Sequence, residues 1–454
     1  GQTISPDCFP LPLTTFEKFM FADDRPGYRM TFVIEIRLSG DFRFEEFSSA
    51  CSSALARHPL LCSHVSRIRG KLYWTKSHRP HDIERDLDID SLPASWQEID
   101  LTTETGVKLR VSEDDQETLV TFVFHHAATD GIGAIRFIGD VLGIYGIQTA
   151  ENDEVPELHS LSNEALLARG QLWDQASVPD RSWKRTLRHM LEFSTCFPAS
   201  IAKPKTASEN SLREHFFVSR QLNRKLHSRL KNRAHQLGVH PNDIYLSCYF
   251  FTMKAWNQAQ GRKAERESYR VLIPTSLRTS QHDQLSAANV LSMILIHLTG
   301  SKIENSTHFI LNLHRRMSQI LNTADSRLLV RVLQIASRLP GGMFVSTRNP
   351  IRYCTGVLAN VGDVKRQFNC RFPLRKGKCV AGSVVLESLY GAGPIRKGTA
   401  IGVSLGTYAG ELLVNFNCDS KALPNEQAES FADLYMSKLS EFTDEMKEDD
   451  VLSK

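Results

Sequence analysis

The segment that most constrains the fold of this chain is 118–145, TLVTFVFHHAATDGIGAIRFIGDVLGIY. Its first part, 119–124, is a β-branched and aromatic run that is apolar on both faces, which is typical of a strand covered on both sides. Its later part has apolar residues at helical spacing, namely Ile135, Ile138, Leu142 and Tyr145. The segment therefore predicts a buried strand, a tight turn and a helix.

Two adjacent histidines, His125 and His126, end the predicted strand. Because side chains alternate across a strand, the two rings should point to opposite sides, with His126 on the face of Phe124. Only one of them can then face a given cavity. A histidine, with an ordinary pKa of about 6.5, is a natural general base when a rigid strand holds it. A lone histidine is more typical of a satisfied core residue, but this pair with Asp-Gly at a fixed offset is more specific.

The residues after the histidine pair predict how the helix begins. Thr129 and Asp130 are both suitable N-caps. Gly131 and Gly133 should relax the turn, and Gly131 should allow a backbone turn that a side chain would obstruct.

Composition narrows the function classes. The chain has 454 residues, of which 41% are hydrophobic and 23% are charged, and this is typical of a globular protein of two or three domains. The formal net charge of +4 is too small to indicate nucleic-acid binding. No apolar run is long enough for a membrane span, and the first residues do not resemble a signal peptide. These features favour a cytoplasmic protein, although GQTIS also fits an N-myristoylation pattern.

The nine cysteines are scattered and contain no C-x-x-C pair. An odd number without paired spacing predicts reduced, mostly buried thiols, with neither a disulfide framework nor a structural zinc site.

The chain divides into two halves of similar make-up. We predict an N-terminal lobe at 1–178, a bridging helix and linker at 179–208, and a C-terminal lobe at 209–454. The basic amphipathic stretch 181–197 could bridge the lobes or lie on a membrane surface. Strands and helices alternate without regular βαβ repetition or a Gly-rich phosphate loop, so a Rossmann or P-loop protein is not indicated. Two comparable α/β halves predict a ligand site between them.

The motif HHAATDG, 125–131, resembles the His-His-x-x-x-Asp-Gly motif of an acyltransferase superfamily. That superfamily includes chloramphenicol acetyltransferases, condensation domains of peptide synthetases, wax ester synthases and alcohol acetyltransferases. Further resemblances follow in the same order along the chain: PLTTFEKFMFADD, ALARHPLL, IPTSLR (273–278), ANVGDV (359–364) and YAGELLVNFNCD. The resemblance implies an α/β (α+β) fold of two chloramphenicol acetyltransferase-like lobes with an active-site tunnel between them.

The resemblance also implies roles for individual residues. His126 would be the catalytic base, and Asp130 would pair with Arg278 to fix the loop that aims it. His125 would act as a structural or substrate-binding neighbour. Asn360 and the backbone amide of Gly362 would stabilise the oxyanion, although Ala359 stands where the superfamily usually has Ser.

The reaction implied is acyl transfer from a thioester to an alcohol or amine. The donor would be acyl-CoA, or an acyl group on carrier-protein phosphopantetheine, as a co-substrate rather than a resident cofactor. A monomer would suffice, because one chain supplies both lobes. A condensation or epimerisation enzyme acting on carrier-bound thioesters, or a non-catalytic recruitment domain of the same fold, are the alternatives.

Three other patterns compete with this interpretation. GVSLG, 402–406, fits the nucleophile elbow of serine hydrolases, but a strand rather than a helix is predicted after it, and the chain has no histidine beyond His314. A metal site at the histidine pair and Asp130 is disfavoured because adjacent strand residues diverge. RFPLRKGK, 371–378, could hold the phosphates of coenzyme A, meet an acidic carrier protein, or form a solvated loop.

Overall fold

The computed structural model describes residues 8–77, 83–86, 96, 98–114, 116–151, 154–171, 197–204, 217–322, 328–348 and 352–443. Helices and strands are mixed over this part of the chain, as predicted. Two large sheets carry the architecture, one of seven strands and one of six. The predicted bridging helix, except for its last residue, lies outside the described residues, as do Gly1 and the rest of the possible myristoylation pattern.

The first part of the chain contributes eight strands and four helices to the described structure. The strands are β1 (Leu11–Pro12), β2 (Thr31–Gly40), β3 (Ser63–Ile68), β4 (Lys71–Lys76), β5 (Ile83–Asp86), β6 (Val107–Glu113), β7 (Thr118–His125) and β8 (Glu157–Leu158). The helices are α1 (Thr15–Asp23), α2 (Phe44–Arg57), α3 (Gly131–Thr149) and α4 (Asn163–Leu167).

The second part contributes the remaining described elements. Its strands are β9 (Val218–Leu222), β10 (Ser268–Ser276), β11 (Leu291–Thr299), β12 (Gly356–Asp363), β13 (Cys370–Arg371), β14 (Leu374–Arg375), β15 (Lys378–Ala381), β16 (Val384–Ala392), β17 (Ile401–Tyr408) and β18 (Glu411–Cys418). Its helices are α5 (Arg224–Leu237), α6 (Pro241–Ala259), α7 (Thr307–Leu321), α8 (Leu328–Arg338), α9 (Gly342–Arg348), α10 (Val364–Gln367) and α11 (Asn425–Ser440).

One segment of the second half, β14 to β16, belongs to the sheet of the first half. The seven-stranded sheet has the order β14-β15-β16-β2-β7-β6-β5, and the six-stranded sheet has the order β11-β10-β12-β17-β18-β9. Strand β16 comes from the second half of the sequence but pairs antiparallel with β2 of the first half. The lobe boundaries at 178 and 209 remain a prediction, but sheet pairing does not follow them at β14 to β16. This exchange joins the halves through backbone hydrogen bonds.

Strand β7 lies inside its sheet, which explains its apolar sequence. It pairs antiparallel with β2 on one side and with β6 on the other. Its side chains Phe122 and Phe124 are fully buried and contact the ring of Phe137 on α3 at 6.2 and 6.0 Å. Helix α3 therefore covers one face of the strand that leads to the histidine pair.

The residue pattern predicts a single strand at 378–386, and this prediction is wrong, because the segment forms a hairpin. Strands β15 and β16 are separated by a turn in which Gly382 has a φ of +60°. A side chain at Gly382 would collide with Thr149 at the end of α3. Helix α9 was also not predicted.

Among the described residues, none of the helices combines the length and apolar character needed to cross a bilayer.

Candidate active site

His126 lies in the turn that follows β7, and backbone contacts fix its position. Its amide donates to the carbonyl oxygen of Met30 at 2.7 Å. The side chain of Asn289 donates to the carbonyl oxygens of His126 and Ala127 at 2.8 and 2.9 Å. One side chain from the second half thus holds the two peptide units that carry the ring.

The ring of His126 has apolar neighbours on two sides. The rings of Phe16 and Phe32 meet it edge-on, with centroids at 5.9 and 5.3 Å. Phe32 also stacks on Phe124, so His126 lies on the face predicted from the alternation along β7. Nδ1 is buried, whereas the ring is partly exposed and lines a cavity, so Nε2 is the nitrogen that a reactant can reach.

The protonation of His126 follows from this environment. Burial lowers the pKa of His126 below its usual value, because a charged ring would be poorly solvated there. Contact with the carbonyl oxygen of the same residue, and the negative charge of Asp130, oppose this shift but do not cancel it. The ring is therefore neutral at neutral pH and can accept a proton.

His125 points away from the cavity. Its side chain is fully buried, Nδ1 accepts from the amide of Ala127 at 3.1 Å, and Nε2 lies 3.6 Å from Asp24. Burial favours the neutral form of Asp24, but the contacts with His125 and with Met30 lower the pKa of Asp24 overall. Its ring is not among those lining the cavity, and its expected substrate contact stays a prediction. These contacts fit its other expected role, the structural one.

Asp130 caps α3 and forms the predicted ion pair. Its carboxylate accepts from the amide of Gly133 at 2.8 Å, which confirms Asp130 rather than Thr129 as the N-cap. Both of its oxygens accept from the guanidinium of Arg278 at 2.8 Å, and one accepts from the amide of Val290 at 2.9 Å. Burial opposes ionisation, but Arg278 and the amides lower the pKa of Asp130.

The two glycines of the turn have different roles from those expected. A Cβ at Gly131 would lie 3.4 Å from the side chain of Val361, an ordinary contact, so the predicted obstruction at this position is wrong. A Cβ at Gly133 would collide with the hydroxyl of Thr129 and lie 3.0 Å from the backbone of Ala288. Gly133 is the position where helix and second half approach too closely for a side chain. Gly131 lines the cavity.

The Arg-His-Pro motif reinforces the same region. His58 Nδ1 accepts from the amide of Ala287 at 2.8 Å, and Nε2 donates to buried Asp140 at 3.0 Å. Arg57 also donates to Asp140, at 2.7 Å. The motif therefore ties α2 and α3 to the segment that contains Asn289. The motif was recognised in the sequence, but its contact with Ala287 was not predicted.

The cavity has a volume of about 1310 Å³ and is lined by residues of both halves, mostly apolar. Alternate residues of β10 face it, namely Arg270, Leu272, Pro274 and Ser276. At about 3.3 Å per residue, the stretch from Arg270 to Ser276 spans roughly 20 Å. The cavity is thus elongated along the six-stranded sheet, with the Asp130–Arg278 pair beyond the Ser276 end.

The predicted oxyanion residues differ in what they can offer. Asn360 lines the cavity, and its amide donates to Asn242 at 2.6 Å, which leaves its second N–H. The amide of Gly362 donates to the side-chain oxygen of Asn360 at 2.8 Å, and Gly362 does not line the cavity. The amide of Gly362 therefore supports Asn360 in this structure, and its expected substrate-binding role stays a prediction.

Ser404 is a cavity residue that was not predicted as a donor. It pairs with Ala359 across the parallel strands β12 and β17, so the two side chains share a face, and both line the cavity. Its Oγ accepts from the amide of Gly393 at 3.2 Å, so its hydrogen can be donated elsewhere. A hydroxyl thus stands on the strand next to Ala359. No sequence signal places residues 359 and 404 side by side.

A cluster of cations lines the other end of the cavity. Arg270 and His297 are paired across β10 and β11, and Arg316 on α7 donates to the carbonyl oxygen of His297 at 2.8 Å. Lys302 and Arg396 line the same cavity, and Arg396 is paired with buried Asp23 at 2.6 Å. We call Arg270, His297, Lys302 and Arg316 the basic cluster. Because its members lie on β10, on β11, in the turn after β11 and on α7, no local motif indicated it.

The structure bears differently on the three competing patterns. GVSLG lies inside β17, which turns directly into β18, so the strand-to-helix elbow of a serine hydrolase is not formed. Segment 371–378 runs from the end of β13 through β14 to the first residue of β15 and does not line the cavity, and its expected contact with phosphates or a carrier protein stays a prediction. The two histidine rings diverge, and the described residues contain no cluster of three metal-binding side chains.

Comparisons with known proteins give a fold but no sequence relative. No protein-family model matches the sequence, and no curated protein matches it. Among solved structures, the trichothecene 15-O-acetyltransferase from Fusarium sporotrichioides is similar with a TM-score of 0.67 and 12% identity, covering 97% of this chain and 97% of that chain.

Two condensation domains are similar over the same extent. The first condensation domain of the calcium-dependent antibiotic synthetase has a TM-score of 0.66 and 14% identity, covering 96% of each chain. The starter condensation domain of rhizomide synthetase, a mutant in complex with C8-CoA and Leu-SNAC, has a TM-score of 0.65 and 12% identity, covering 98% of this chain and 97% of that one. The chain therefore has the two-lobed chloramphenicol acetyltransferase-like fold of condensation domains and acetyltransferases, as predicted.

Proposed function

We propose that this chain is an acyltransferase that moves an acyl group from a thioester to an alcohol or amine within the cavity between its two sheets. The observation that carries the proposal is the position of the His126 ring, which lines the cavity and whose backbone is held by Met30 from one half and Asn289 from the other. A rigid, uncharged imidazole beside an apolar cavity is suited to general-base catalysis.

In the proposed reaction, Nε2 of His126 takes the proton from the hydroxyl or amine of the acceptor as that group attacks the thioester carbonyl. The tetrahedral intermediate then expels the thiolate, which receives the proton from the imidazolium. The side-chain amide of Asn360 and the hydroxyl of Ser404 are the candidate donors to the oxyanion, since both line the cavity and both have a hydrogen to donate. No covalent acyl-enzyme is required.

The basic cluster supports a donor that carries phosphate, such as acyl-CoA or acyl-phosphopantetheine. Its cations lie at the Arg270 end of the cavity, roughly 20 Å along β10 from the end near His126. An extended phosphopantetheine arm has a similar length, so a donor with its phosphates at the basic cluster would present its thioester near His126. Lys302 and Arg316 are exposed at this end, where a donor would enter.

The base is tested with His126→Gln, which removes the basic nitrogen but keeps a side chain of similar size. Thiol release from acyl-CoA is measured with a panel of alcohols and amines. We expect a loss of about 10²-fold or more in kcat. The variant must keep the circular dichroism spectrum of the wild type. Equal release by folded variant and wild type would contradict the proposal.

The donor is tested by comparing acyl-CoA with the corresponding acyl thioester of N-acetylcysteamine, which lacks phosphate. Lys302→Ala combined with Arg316→Ala should raise KM for acyl-CoA about threefold or more, because each exposed cation contributes up to roughly 1 kcal/mol. KM for the N-acetylcysteamine thioester should not change. Lys225→Ala, which removes an exposed cation outside the cavity lining, is the matched control.

Condensation with a carrier-bound thioester is the second candidate, because two of the similar structures are condensation domains. The same cavity and base would serve it, and the phosphopantetheine phosphate would meet the basic cluster. Turnover of a carrier-bound thioester with no turnover of acyl-CoA would favour this candidate, and His126→Gln should abolish it too.

A further inference from the structure

Helix α8 is apolar on two sides. Its inner face packs Val330, Leu333 and Ala336 into the protein. Ile335 on its outer face and Leu339, directly after its last residue, are 55% and 59% exposed. An ordinary surface helix would have polar residues at these positions. The outer face of α8 is therefore built for contact with something apolar.

Helix α9 extends this surface. Phe344 and Val345 follow the turn between the helices and are 64% and 68% exposed. Adjacent exposed side chains of this size are unusual on a surface that meets only water. We call Ile335, Leu339, Phe344 and Val345 the apolar patch.

The apolar patch is continuous with the cavity. Val345 is exposed and also lines the cavity, as do Val332 and Leu333 on α8. Both helices pack on α1, whose Phe16 touches the ring of His126. The patch thus forms the rim of an apolar passage that leads to the base.

The charged residues of the segment that carries the apolar patch are all positive. Segment 328–348 contains Arg331, Arg338 and Arg348 and has no acidic residue. The guanidinium of Arg348 lies 5.6 Å above the ring of Phe344. Exposed apolar side chains flanked by arginine are the composition of helices that lie in the interface of an anionic bilayer. A protein partner or a second copy would not by itself require this positive flank.

We propose that α8 and α9 dock on an anionic lipid surface, with the apolar patch among the acyl chains and the exposed Arg338 and Arg348 among the headgroups. The cavity mouth then opens at the lipid, so an apolar reactant can enter without crossing water. The proposal is independent of the reaction, because its test measures association alone.

The test is co-sedimentation of the full chain with vesicles of phosphatidylcholine alone and of phosphatidylcholine with phosphatidylglycerol. The wild type should bind the anionic vesicles and bind the neutral ones about tenfold less. Phe344→Asp with Val345→Asp should reduce binding to anionic vesicles about tenfold or more. Ile335→Asn with Leu339→Asn tests the same surface at two residues that do not line the cavity. Leu374→Asp, at a residue 57% exposed on β14, is the matched control and should keep wild-type binding.

Three results would overturn the proposal. The wild type could fail to bind anionic vesicles, or both pairs of patch substitutions could bind as well as the Leu374 control. Alternatively, sedimentation velocity could show a dimer that the patch substitutions dissociate, which would identify the surface as an interface between two copies. Equal binding to neutral and anionic vesicles would contradict the role of the arginines.

Discussion

Replacing Asp130 with Asn should destabilise the chain strongly, because it removes one charge from a buried ion pair and hardly changes the shape of the side chain. The side chains of Asp130 and Arg278 are only 4% and 9% exposed. Removing one partner of such a pair leaves the other charge buried, at a cost of about 3–5 kcal/mol. Asn still offers an oxygen to the amide of Gly133, so the helix cap is kept. The loss therefore reports the ion pair.

The measurement is urea unfolding of the wild type, Asp130→Asn, and the double variant with Arg278→Gln. The double variant should be more stable than the sum of two single losses implies, since neither charge remains unpaired. Glu441→Gln is the control, because its 2.6 Å pair with Lys438 is 41% and 22% exposed and should contribute at most about 1 kcal/mol.

The effect should also depend on pH. The folded-state pKa of Asp130 is lowered, because the charge of Arg278 outweighs the effect of burial, so its stabilisation is complete above the unfolded pKa of about 3.9. The stabilisation is lost as pH falls through the folded value. The difference in the free energy of unfolding between the wild type and Asp130→Asn should therefore narrow below about pH 4. A difference in unfolding free energy under about 1 kcal/mol at pH 7, or a difference that does not change down to pH 3, would refute the reasoning.

Four further predictions concern the turn and its neighbours. Asn289→Ala should lower kcat with little change in KM, and leave two carbonyls unpaired at about 1–3 kcal/mol each in urea unfolding. The acidic limb of the pH profile of kcat/KM should lie below the ordinary histidine pKa of about 6.5, because the pKa of His126 is lowered; a limb above it would contradict this. Ser404→Ala should reduce kcat about tenfold or more at constant KM, and unchanged kcat would exclude it as a donor. Gly133→Ala should cost about 1–3 kcal/mol of stability, whereas Gly131→Ala should cost less than about 1 kcal/mol, and equal losses would argue against the packing at Gly133.

The local part of the site was predictable because its signals are local. An apolar run bounded by His125, an Asp cap and a helical repeat fix β7, the turn and α3 within a few residues. The ion pair between Asp130 and Arg278 came from the resemblance and is confirmed. Asn289 and Ser404 were missed because their roles depend on strand pairing and on contacts across the two halves. Spacing along the chain carries no information on such neighbours.

The fold was likewise predictable where it depends on local signals and not where it depends on which strands pair. The sequence pattern predicts helices at 223–237 and 241–256, and α5 and α6 begin and end within a few residues of these bounds, since caps and periodicity define them. The exchange of β16 into the first sheet was not predicted, because a strand's pattern does not name its partner. The hairpin at Gly382 was missed for a related reason. The turn has a left-handed backbone at Gly382, and a side chain there would collide with Thr149, a residue distant in the sequence.

The position of the proposed base depends on a short segment of the other half, 287–290. The amide of Ala287 binds His58, and the carbonyl oxygen of Ala288 accepts from Arg278 at 3.0 Å. Asn289 holds the peptides that carry His126, and the amide of Val290 donates to Asp130. Four consecutive residues thus contact the turn after β7 or the side chains that support it, His58 and Arg278. Because segment 287–290 helps to hold the turn that carries His126, a shift between the two halves would move the proposed base and the cavity wall together. Substitutions along this segment should therefore change kcat before they change KM.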